Sequence, residues 1–183
     1  MINFIKEPVP LMRTGFLNEL YMLTSNILLP ALVGTSAMTL FSYLVSESKH
    51  ENFREPDVLR QLIQRLPTTG SNDSAQLTGW GGHYATGLLF VFGYHQLWKQ
   101  KKIKPSIVSG AMLGAASGLA GIIVWKIAFR LHPNPQPKNL NNYFRHLLFA
   151  HVVFGIFSAL TYKLIRSGKN HDVKHCLFSS AFV

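Results

Sequence analysis

Four long stretches almost free of charge constrain this chain more than anything else in it. They run roughly over residues 20–45, 80–98, 107–131 and 143–165, and the charged residues bunch between them. A soluble helical fold needs polar side chains along the outside of every helix, so this segregation favours lipid as the surrounding solvent. Composition agrees. Of 183 residues, 48% are hydrophobic and 14% charged, where an average soluble domain carries about 25% charged. The sequence therefore predicts an all-α polytopic membrane protein with four transmembrane helices.

The first span opens on mixed residues, Thr24, Ser25 and Asn26, which places its lipid-buried part at 27–45, with Pro30 predicted to kink it. It is longer than a signal-peptide core and no small-x-small cleavage site follows, so it is expected to remain as a span. The second, Trp80 to Trp98, holds no formal charge and has an aromatic anchor at each end. Its nineteen residues rise about 28 Å, close to a hydrocarbon core of roughly 30 Å. Pro105 precedes the third span, and Pro133, Pro135 and Pro137 fill the turn before the fourth.

The net charge of +10 raises the question of nucleic acid, but no run interleaves bases with aromatics as such a surface would. The bases lie beside apolar segments instead, where lipid headgroups attract them. Lys99, Lys101, Lys102 and Lys104 crowd the short loop between spans two and three. The end of span four and its tail add Lys163, Arg166, Lys169 and Lys174, and Lys6 and Arg13 precede span one. This pattern predicts both termini on the cytoplasmic side. The resulting plan is a cytoplasmic segment 1–19, a first hairpin 20–98, a second hairpin 99–165 and a basic tail 166–183. Within the first hairpin an outer amphipathic segment, 56–66, puts Val58, Leu59, Leu62, Ile63 and Leu66 on one helical face. Such a face suits capping the bundle more than lying on the bilayer. The lone cysteine, Cys176, excludes an intrachain disulfide.

One spacing occurs twice. His83, Gly87 and Tyr94 in span two match His151, Gly155 and Tyr162 in span four, both reading His-x3-Gly-x6-Tyr. At 3.6 residues per turn each triplet forms one stripe. Gly34-Thr35-Ser36-Ala37 in span one resembles Gly114-Ala115-Ala116-Ser117 in span three more loosely. Coincidence among common membrane residues is one account. The other is two tandem hairpins with pseudo-twofold symmetry along the membrane normal. With the amphipathic outer segment and Gly34-Thr35-Ser36-Ala37-Met38, these helices resemble the YagU-like bacterial inner-membrane proteins over about residues 27–165. The resemblance implies a bacterial inner-membrane location and no catalytic residue.

His83 and His151 are the leading candidate site residues. On facing helices they suit axial ligation of haem b, with Gly87 and Gly155 leaving space beside a porphyrin. Interhelical hydrogen bonding and a proton or ligand role are the competing accounts. Lys126 and Arg130 share a face at i, i+4 and no acidic residue lies deep in any span to neutralise them. Snorkelling, pairing with Glu47, or holding a lipid phosphate or other anion would accommodate them. Gly110, Gly114, Gly118 and Gly121 form a stripe in span three that suits close helix approach, and no G-x4-GK[ST] phosphate loop accompanies it. His171, His175 and Cys176 have a metal-like spacing that basic tails often show by chance. No paired carboxylates or G-x-S-x-G elbow occur. The sequence thus points to a non-enzymatic membrane protein, an accessory subunit or stress-tolerance factor with lipids and other membrane subunits as partners. A haem b redox protein and a small transporter or proton path using His83, His151 and Lys126 are the alternatives.

Overall fold

The computed structural model describes residues 23–66, 71–100, 103–135 and 139–179, with side chains as far as Gly168. Lys6, Arg13, Lys101, Lys102 and the side chains of Lys169, His171, Lys174, His175 and Cys176 lie outside the described residues. The fold is all-α: α1 (Leu29–Lys49), α2 (Glu55–Gln64), α3 (Asn72–Lys99), α4 (Ile107–Leu131) and α5 (Leu140–Ser179), with no strand among the described residues.

Three segments are long and apolar enough to cross a membrane: Thr24–Lys49, Ile107–Leu131 and Leu140–Gly168. With 28 residues α3 is long enough as well, but His83, Tyr84, His95 and Gln96 make it more polar. It also begins eight residues ahead of Trp80. Ser71 caps it, accepting from Ser74 N, and Asp73 adds negative charge to the first turn.

Local chemistry sets the other ends. Pro30 cannot donate to the carbonyl four residues back, and its ring would clash there. The chain answers with a π-helical stretch, Thr24–Leu28, in which Leu29 N reaches Thr24 O. His50 closes α1 in the left-handed region at φ 54°. Ser106 and Ser109 cap α4 reciprocally.

The four long helices alternate in direction. The C-terminal ends of α1 and α4 and the N-terminal ends of α3 and α5 meet at one end of the bundle, and α2 covers it. Val58 and Leu62 of α2 join Phe53, Phe129 and Tyr143 in a buried cluster there. His132 Nε2 donates to Leu62 O at 2.9 Å, and Arg65 Nη1 to Pro135 O at 3.3 Å. The amphipathic segment therefore caps the bundle.

α4 and α5 pair most extensively, α1 packs on α5 and α3, and α3 faces α5 across aromatic rings. Outward, the helices expose Leu32, Leu40 and Leu44 (α1), Leu77, Leu89 and Phe92 (α3), Met112, Ile123 and Ile127 (α4), and Phe149 and Phe157 (α5). Large apolar side chains exposed on all four long helices suit hydrocarbon better than water.

Candidate functional site

The inward face of α1 is a ladder of small hydroxyls, Thr35, Thr39, Ser42 and Ser46, all buried and recurring at helical spacing. The upper two rungs meet α3 and the lower two meet α2, the turn before it and α5. Gly87 of α3 packs on Thr35, whose Oγ1 occupies the place a Cβ at 87 would take. Thr39 Oγ1 lies 3.0 Å from His83 Nε2. Ser42 Oγ donates to Glu55 Oε2 at 3.3 Å and, having one proton, accepts from His146 Nε2 at 2.9 Å. Ser46 Oγ accepts from Phe53 N at 3.0 Å, which aims the start of α2 into the bundle.

A cavity of about 210 Å3 lies beside this ladder. Thr35, Glu55, His83, Phe90, Trp125 and His151 line it. Both histidines of the repeated spacing therefore reach one cavity. Their bonds differ: His151 Nδ1 donates to Leu147 O of its own helix at 2.8 Å, while His83 bonds across to α1. His151 is 7% exposed, and its ring stands edge-on to Phe90 at 5.9 Å.

The glycines shape this site by closing distances. Gly110 and Gly114 of α4 and Gly155 of α5 bring the two backbones into contact. A Cβ on Gly110 would stand 2.5 Å from Gly155 O, and one on Gly155 would fall on Gly110 O. A Cβ on Gly118 would meet His151 Cβ at 3.0 Å. The space that a porphyrin would need beside Gly87 and Gly155 thus holds Thr35 and the α4 backbone, and His83 Nε2 is taken by Thr39.

Lys126 and Arg130 stand outside the site, both exposed. Lys126 Nζ lies 5.7 Å from the centre of the Phe144 ring. Glu47, a partner considered for them, is 3.7 Å from Arg54 instead. At the end of the bundle away from α2, Tyr94 OH donates to Leu113 O at 2.9 Å and ties α3 to α4.

Sequence reasoning missed Glu55. Its carboxylate is 4% exposed and enters the bundle from α2, not from a span. The readable signal was the hydroxyl ladder on α1, a polar stripe that had to meet polar partners. No group of three His, Cys, Asp or Glu among the described residues is placed to hold a metal ion. The chain matches no protein-family model, no curated protein and no solved structure.

Proposed function

We propose that the chain is a small polytopic membrane protein whose four long helices all cross the bilayer, and that it works by binding a small solute in its interior. The cavity carries this reading, because it joins a carboxyl group, two imidazoles and three aromatic rings inside an apolar bundle. Ligand sites have this character, mostly apolar walls with a few convergent polar groups. Of the roles weighed from the sequence, a solute path through His83 and His151 fits best, with Glu55 in the place given to Lys126.

The fourth crossing is supported by how α3 is oriented. It turns His83, Gly87 and Tyr94 inward and leaves Leu77, Leu89 and Phe92 outside. Its polarity is interior polarity, which lowers its hydropathy without meeting lipid. Tandem hairpins are supported by Gly87 and Gly155, each of which packs on the preceding helix of its own hairpin. The resemblance to YagU-like proteins supports a bacterial inner membrane, and the lysine-rich loop supports cytoplasmic termini.

Cysteine labelling in a Cys176→Ser background tests the crossings. Asp57→Cys should react from outside intact cells and Lys104→Cys only after permeabilisation. Labelling of both from one side would remove α3 as a span. The interior site is tested by melting the protein against a panel of cationic, neutral and anionic monocyclic solutes. A ligand at 100 times its Kd adds about 2.7 kcal/mol to stability, so at least one should raise the Tm by several degrees. If none does, the interior site is refuted.

A further inference from the structure

We infer that the cavity is a site for a small protonated amine, of about one substituted ring, which enters from the lipid side between α3 and α4. This rests on the proposed interior site and goes further by naming the class of solute.

The first ground is where the protons are. Thr39 has one hydroxyl proton and donates it to Thr35 O at 2.7 Å. His83 Nε2, 3.0 Å from that oxygen, must then be the donor, and in the neutral ring Nδ1 is left as an acceptor. His151 Nδ1 faces the carbonyl of Leu147, which only accepts, so Nε2 is left as its acceptor. That atom lies on the Gly121 side, 3.4 Å from where a Cβ would stand. Glu55 contributes a carboxylate in the first turn of α2, where the helix dipole favours negative charge. The two imidazoles of the wall thus each present an acceptor, and Glu55, which already accepts from Ser42, presents carboxyl oxygens beside them. A solute bearing N–H groups and positive charge satisfies them, whereas a carbonyl or carboxylate would set acceptor against acceptor.

The second ground is shape. The acceptors are not grouped closely enough to hold a metal ion, so they suit a cation with an organic body. Phe90, Trp125 and Phe154 line the cavity, and aromatic rings attract cations. A cavity of about 150 Å3 takes a benzene ring, so about 210 Å3 has room for one ring with a short side chain. The third ground is access. Val124 lines the cavity yet is 64% exposed, and α3 and α4 are not closely packed. The mouth therefore opens sideways, toward the acyl chains in which an amphiphilic amine dissolves.

The test compares three solutes of one skeleton on the full chain in detergent by isothermal titration calorimetry: phenethylamine, 2-phenylethanol and phenylacetate. The amine should bind at least tenfold more tightly than either of the others. Val124→Trp, which blocks the mouth without touching the buried hydrogen bonds, should weaken the amine at least tenfold at an unchanged Tm. Glu55→Gln should weaken the amine to a similar extent and leave 2-phenylethanol unaffected. Should Glu55→Gln fail to fold, Val124→Trp and the three solutes decide alone. Equal or tighter binding of the alcohol or the acid overturns the amine assignment but leaves an interior site. No binding by any of the three, or amine binding that ignores Val124→Trp, overturns both.

Discussion

Gly155→Val is expected to force α4 and α5 apart and to unfold the protein at a much lower temperature. A Cβ at 155 falls on Gly110 O and stands 2.7 Å from Gly114 N and Cα. All are backbone atoms, so no side chain can rotate out of the way. Overpacking a tight contact costs about 1–3 kcal/mol where neighbours can give, and two helix backbones cannot give without separating. We expect a loss of about 3 kcal/mol or more. Lipid offers no hydrophobic drive to hold helices together once close packing is gone. The damage should also reach the cavity, because Gly114 and Gly118 pack on the backbone and Cβ of His151. Gly93→Ala is the control. It lies on α3 with nothing within 4 Å of the new methyl, and alanine should be neutral or slightly stabilising there. Thermal melting in detergent checks both; a Gly155→Val protein that melts with the parent would show that this crossing does not hold the bundle.

The glycines and the helices were legible in the chain because each is a local property. Absence of charge marks a lipid-facing helix whatever its neighbours are, and Gly110, Gly114 and Gly118 at intervals of four mark a face that can be approached closely. Glu55 was not legible, because its burial is decided by neighbours far along the chain. It follows Glu51 and Arg54 and precedes Asp57 in a segment that reads as solvated. The turn at His50 and the bond from Phe53 N to Ser46 Oγ carry it inside. The same turn brings Arg54 to Glu47, which is why the lysine and arginine of α4 keep no claim on that glutamate. The start of α3 lies ahead of the apolar span at Trp80 for a different reason. Its first two turns are polar, so a search for an apolar run begins at Trp80, although Ser71 and Asp73 are ordinary signals of a helix start.

Val58→Asp is expected to free α2 while leaving the four long helices packed. Val58 is 0% exposed and sits against Leu62, Phe129 and Tyr143. An unpaired carboxylate there costs several kcal/mol on the scale of about 3–5 for a buried charge without its partner. Losing the valine contact adds about 1.5–3 kcal/mol. Together these rival the burial of Leu62 and Phe53, each worth about 1.5–3 kcal/mol, the other apolar side chains that this segment places in the cluster. The larger core, with Ile27, Met38, Val91, Trp98, Leu147 and Phe154, takes no residue from α2. So the helix should leave and the bundle remain. Val58→Ala removes two methyl groups at about 0.8 kcal/mol each and should leave α2 docked. Hydrogen exchange separates the outcomes: in Val58→Asp the amides of 55–64 should lose protection while those of α4 and α5 keep theirs. Amine binding should fall with α2, since Glu55 leaves the cavity with it. Unchanged protection over 55–64 would mean that something other than this apolar contact holds the cap in place.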